Sequence, residues 1–191
     1  MLRNSASRIP VLLLALTTAL AGSVAAPATG FAATYTFTKI ADTNVDFIEI
    51  NAWPAINNAG TVAFLGFRRP SFTPEGIYGG NGGAVTTFVD DSGAFSGVFG
   101  SFTTFGDVQI NDSGTVSTLS VINNFTGSGI FSANGVSATP ISTSGLPCCT
   151  SYGAPTSINS SGTVAFNGVV GGVLGIYTGN GGPLTTVADT T

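Results

Sequence analysis

Few side chains in this sequence could carry chemistry. Beyond the N-terminal segment the carboxylates are Asp42, Asp46, Glu49, Glu75, Asp90, Asp91, Asp107, Asp112 and Asp189. Two of them facing across a cleft, roughly 5–10 Å apart, would suit glycoside hydrolysis. Asp42, Asp90 and Asp189 stand at equivalent points of a repeating pattern, at strand ends, where the ordinary role of Asp is to cap a turn. Asp90-Asp91-Ser92-Gly93 and Asn111-Asp112-Ser113-Gly114 are rich in oxygen, but neither continues into a calcium loop with its closing Glu. There is no histidine, so no triad, metal site or pH switch built on imidazole exists. Gly79-Gly80-Asn81-Gly82-Gly83 lacks the Lys of a phosphate-binding loop and reads as a hairpin turn. No catalytic residue, metal site or cofactor is expected.

Three other features could bind rather than catalyse. Trp53, the single tryptophan, precedes Pro54 and could either pack between sheets or offer a ring face to a sugar. Arg68-Arg69-Pro70 is the only basic cluster and reads as a loop tip between Phe67 and Phe72, a composition found in interaction hot spots. Cys148 and Cys149 are adjacent. In an oxidising compartment they could close a vicinal disulfide, cross-link two chains or stay as thiols.

Composition narrows the class further. Of 191 residues 43% are hydrophobic, enough for a core, while only 7% are charged. Twenty-seven glycines and a single lysine, Lys39, suit short strands joined by tight turns. The formal charge of −4 becomes −6 without Arg3 and Arg8, which argues against a nucleic-acid partner. Residues 1–32 read as an export signal: Arg3 and Arg8, then the apolar run Val11–Ala21, then small residues with cleavage before Ala33 or after Ala25. The apolar run is shorter than the ~20 residues of a membrane span. The expected product is secreted or extracytoplasmic, at the cell surface or in a periplasm, with no membrane span once the signal is removed.

The elements that must position these residues come from internal repeats. Ile56-Asn57-Asn58-Ala59-Gly60-Thr61-Val62-Ala63-Phe64 recurs as Ile158-Asn159-Ser160-Ser161-Gly162-Thr163-Val164-Ala165-Phe166. A middle copy, Ile110-Asn111-Asp112-Ser113-Gly114-Thr115-Val116-Ser117, departs at Ser117-Thr118, where the others have Ala-Phe. Each is followed by Gly-Ile-Tyr or Gly-Ile-Phe, at Gly76, Gly129 and Gly175, then by Asn-Gly, at Asn81, Asn134 and Asn180. A Thr-rich segment closes each repeat, and its pattern also occurs at 38–42, so the chain begins and ends in the same phase.

Asn-x-x-Gly predicts a hairpin connection. The Asn side chain (Asn57, Asn111, Asn159) bonds to the turn backbone, and the Gly (Gly60, Gly114, Gly162) takes the left-handed conformation. Asn-Gly predicts a two-residue turn. Each repeat is therefore a four-stranded antiparallel meander, and the fold is all-β, with three propeller-like blades that stay open or close by assembly. The alternative is a β-trefoil. The repeats run at about 36–84, 85–136 and 137–183, with a closing strand at 184–190 in a single domain over 33–191. Bare terminal repeats favour self-association.

Over about residues 35–191 these motifs resemble a family of exported bacterial proteins with tandem NxxGxxAF repeats, often joined to variable C-terminal anchors. The resemblance implies a structural repeat and no assigned activity. The reading of the whole is a non-catalytic binding or structural module, with a glycan or cell-envelope component as the candidate partner. A carbohydrate-active enzyme or lectin is the alternative.

Overall fold

The computed structural model describes residues 35–51, 53–70, 75–92, 104–122, 127–144 and 152–191, all strands and connections with no helix. Cys148, Cys149, Phe72 and the N-terminal segment lie outside them. The strands are β1 (Phe47–Ile50), β2 (Ala55–Ile56), β3 (Val62–Arg68), β4 (Glu75–Gly80), β5 (Thr86–Asp90), β6 (Thr104–Ile110), β7 (Val116–Ile122), β8 (Gly127–Ala133), β9 (Ala138–Ser144), β10 (Tyr152–Ile158), β11 (Val164–Val170), β12 (Val173–Gly179) and β13 (Thr185–Asp189). They form three antiparallel sheets in chain order, β1/β2-β3-β4-β5, β6-β7-β8-β9 and β10-β11-β12-β13. There is no closed barrel among them, so the trefoil alternative falls: each sheet is the meander of one repeat. In the first sheet the place of one edge strand is taken by two, β1 and β2, both paired with β3.

The sheets pack face to face in sequence. Leu65, Ile77, Phe88 and Val89 of the first meet Val108, Ile110, Val116 and Phe131 of the second. Leu119, Ile130 and Ile141 of the second meet Tyr152, Val164, Phe166 and Tyr177 of the third. Burial follows from this stacking. The middle strand β7 is buried at every position, because both its faces are covered. Its counterpart β11 alternates, because only one face is.

The middle repeat is as regular as its neighbours despite Ser117 and Thr118. Ser117 Oγ pairs with Thr156 Oγ1 across the sheets at 2.9 Å, and Thr118 Oγ1 donates to the carbonyl of Leu119. The buried hydroxyls are thus satisfied, which removes the penalty of placing them in a core.

Two local expectations need correction. The Asn-Gly segments are not two-residue turns: four or five residues separate the strands they join. Gly82, Gly135 and Gly181 have positive φ, but the preceding Asn residues do not, so the primed turn that needs both is not formed. Asn134 Oδ1 instead accepts from Val136 N and Ser137 N. The second correction concerns residues 38–42, which are not a strand. They nevertheless hold a fourth strand's place, as a strap. Thr38 packs over Gly82 as Thr139 packs over Gly181, and Ile40 and Ala41 cover the aromatic face of Phe47, Phe64 and Tyr78.

Candidate functional site

The Asn-x-x-Gly turns form one row. In each, Gly60, Gly114 or Gly162 has φ near +80° (+78°, +78° and +83°), and its N–H donates to the Asn three residues earlier. Asn57 Oδ1 accepts from Thr61 N, Asn111 Oδ1 from Ser113 N and Thr115 N, and Asn159 Oδ1 from Ser161 N and Thr163 N. The oxygen of each amide thus folds its own turn.

The amide nitrogen does something the sequence alone did not reveal. Asn57 Nδ2 donates to the carbonyl of Asn111 at 3.0 Å, and Asn111 Nδ2 donates to that of Asn159 at 2.9 Å. One residue type per repeat therefore closes its own turn and clamps the next. Beside this ladder, Asn58 donates from N and Nδ2 to the two carboxylate oxygens of Asp112, which lowers the Asp112 pKa. A shallow groove of about 210 Å³ runs along the row, lined by Ile56, Asn57, Asn58, Ile110, Asn111, Asp112, Ile158 and Ser160. Its wall is amide, hydroxyl and aliphatic, with one carboxylate.

A second cavity, of about 450 Å³, lies between the strap and the first sheet, lined by Lys39, Asp42, Asp46, Arg68 and the Gly82–Val85 connection among others. Arg68 is the last residue of β3 rather than a loop tip. Its guanidinium carbon lies 4.9 Å from the Tyr78 ring centroid and 5.7 Å from that of Phe47, a cation–π arrangement. Its Nε is buried without a hydrogen-bond partner. Arg69 is exposed and donates from Nη2 to the carbonyl of Thr43, so it ties down the strap. Trp53 is exposed and has a left-handed backbone, φ +67°. It does not line the Arg68 cavity. No strand and no core cluster includes Trp53.

Three carboxylates cap turns by the same i to i+2 bond. Asp42 Oδ1 accepts from Asn44 N, Asp90 Oδ1 from Ser92 N and Asp189 Oδ1 from Thr191 N. Asp42 also pairs with Lys39 at 2.7 Å, which first among its contacts lowers its pKa. Asp91 is raised by burial and then by the neighbouring charge of Asp90. Asp107, which had no singular role in the sequence, is half-buried in β6 and accepts from Thr156 N of the third repeat at 2.8 Å. Its other oxygen is buried and unpaired, and burial raises its pKa. Among the described residues no group of carboxylates or cysteines could hold a metal ion.

No curated protein matches the chain. A family model does match residues 37–145, which spans the strap and the first two meanders. With more than half of its length covered, this chain belongs to a family of unknown function, DUF7453.

Proposed function

We propose that the protein is an exported, non-catalytic module that binds or displays on the outside of the cell, built from tandem NxxGxxAF repeats. The observation that carries this reading is the use made of the polar side chains. Asp42, Asp90 and Asp189 are engaged in turn caps, Asp112 in a contact between repeats, and the Asn row in the ladder. What faces outward is a polar groove and several bare aromatic rings, Trp53 among them. The basic N-terminal end and apolar run of residues 1–32 support export.

Glycans or other cell-envelope polymers are the ligands this surface suits. Amides and hydroxyls match sugar hydroxyls, and the exposed ring of Trp53 favours a lectin-like contact in particular. The test is to titrate purified envelope polysaccharides and a glycan panel against the chain, following Trp53 fluorescence, while assaying the same polymers for release of reducing ends. Saturable binding without release is the expected result. Release of reducing ends that two Asp or Glu substitutions abolish would establish a carbohydrate-active enzyme instead.

A further inference from the structure

Each contact between repeats has two halves; the forward half of the last repeat is uncovered, and the backward half of the first is covered by the strap alone, with Ile56 left exposed. The half facing forward holds an Ile of the third strand and an apolar residue at the fourth-strand bulge. Where a next repeat follows, Ile77 and Ile130 are 0% exposed, and Phe88 and Ile141 are 6% and 5% exposed. In the last repeat the same positions, Ile176 and Val187, are 43% and 62% exposed. The half facing backward holds the Ile before the Asn turn. Ile110 is 9% exposed and Ile158 packs in the second core, but Ile56 is 68% exposed.

The ladder is open at the same two ends. Asn159 keeps its turn bonds, but among the described residues no carbonyl receives its Nδ2. Among the described residues the Asn57 carbonyl accepts from its own turn alone, at Gly60 N, whereas those of Asn111 and Asn159 also take the amide of the preceding repeat.

We infer that the forward face of the last repeat docks the backward face of the first repeat in a second copy of this chain. The contact already made twice within the chain is thereby made a third time between chains. Asn159 donates to the Asn57 carbonyl of the second copy, and Ile56 enters beside Ile176. Val187 takes the place that Ile40 of the strap holds over the first sheet. Docking displaces Ile40 and Ala41 of the strap from Phe47, Phe64 and Tyr78 and sets the face of β10–β13 in their place. Such a head-to-tail contact closes into a ring when its rotation allows and otherwise extends. This inference goes beyond the surface-module reading and stands independently of it.

The test is sedimentation velocity of the full chain over a concentration series, with Ile176→Glu and Ile56→Glu as separate variants. Both side chains are exposed, so each variant should melt like the parent by circular dichroism, and Val187→Glu serves as a second forward-face variant if Ile176→Glu does not fold. The parent should reach twice the chain mass or more as concentration rises. Each variant alone should stay at the chain mass. Mixed, they should form pairs and grow no further, because each retains the half the other lost. A parent that stays monomeric throughout overturns the inference. So does loss of association in Ile176→Glu or Val187→Glu but not in Ile56→Glu, which would mean two forward faces meet.

Discussion

The covered face of the middle repeat and the open face of the last one are built from the same residues and differ in what lies against them. Ile130 and Ile176 occupy one position, each following the glycine of its Gly-Ile-Phe or Gly-Ile-Tyr and fourth in its strand, β8 or β12. One is sealed against the aromatic face of Tyr152, Phe166 and Tyr177, and the other meets water. The difference teaches that a repeat's sequence specifies an interface, not its own burial. An isoleucine is a core residue here only when a neighbour arrives.

The comparison breaks most sharply at those two residues. Ile130→Ala should destabilise by about 2–5 kcal/mol through lost burial and a residual cavity. Ile176→Ala should cost well under half as much in the monomer. Urea unfolding of both variants measures this, and equal costs would mean that the last face is covered after all.

The next largest effect concerns the ladder. Asn111→Asp keeps the turn-forming oxygen but removes the donor to Asn159 and turns a carboxylate toward a carbonyl. A loss of about 1–3 kcal/mol is expected. Asn159→Asp keeps the same turn and breaks no Nδ2 bond among the described residues, so its unfolding midpoint should stay near the parent's.

Gly114→Ala sharpens the picture from the other side. Nothing lies within 4 Å of a Cβ at Gly114 or Gly162, so the cost is one of backbone alone, at φ +78° and +83°. Both substitutions should cost about 1–2 kcal/mol and to the same extent, since the left-handed requirement is local. A Gly114→Asn variant should recover part of that loss, read from the same denaturation curves.

The smallest effect is a pH dependence at the covered interface between the second and third repeats. Burial raises the Asp107 pKa above its ordinary 3.8. The folded state therefore holds that proton more tightly than the unfolded chain does. The stability this contributes is complete below the ordinary value and is lost as pH rises through the folded-state pKa. Asp107→Asn lacks this titration. Its melting temperature relative to the parent should accordingly rise between about pH 4 and neutrality, and a constant difference would rule out Asp107 as the titrating group.

The architecture was largely legible because the repeat is local. Ile-Asn-x-x-Gly fixes a hairpin, Thr-Val-Ala-Phe alternates, and Gly-Ile-Tyr must carry glycine. A Cβ at Gly76 would stand 2.6 Å from the Val89 carbonyl, and one at Gly175 2.6 Å from that of Ala188. Features that depend on what lies across a sheet were not legible. The destinations of the Asn57 and Asn111 Nδ2 groups, the pairing of Ser117 with Thr156 and the inward turn of Arg68 onto Phe47 and Tyr78 all join residues 10 or more apart in the chain. The Asn-Gly turns misled for a related reason. The dipeptide permits a tight primed turn, but the bulge each fourth strand carries, as between Ile130 and Phe131 in the pairing of β8 with β9, goes with longer connections.

The Asn ladder has a consequence for heredity. Its two rungs span 54 and 48 residues, so the bond tolerates a change of length between one Asn turn and the next. Every unit also gives to its successor what it receives from its predecessor. Unequal recombination that duplicates or deletes one whole unit would leave each remaining junction chemically intact. The number of repeats can therefore drift between generations far more freely than the turn that joins them.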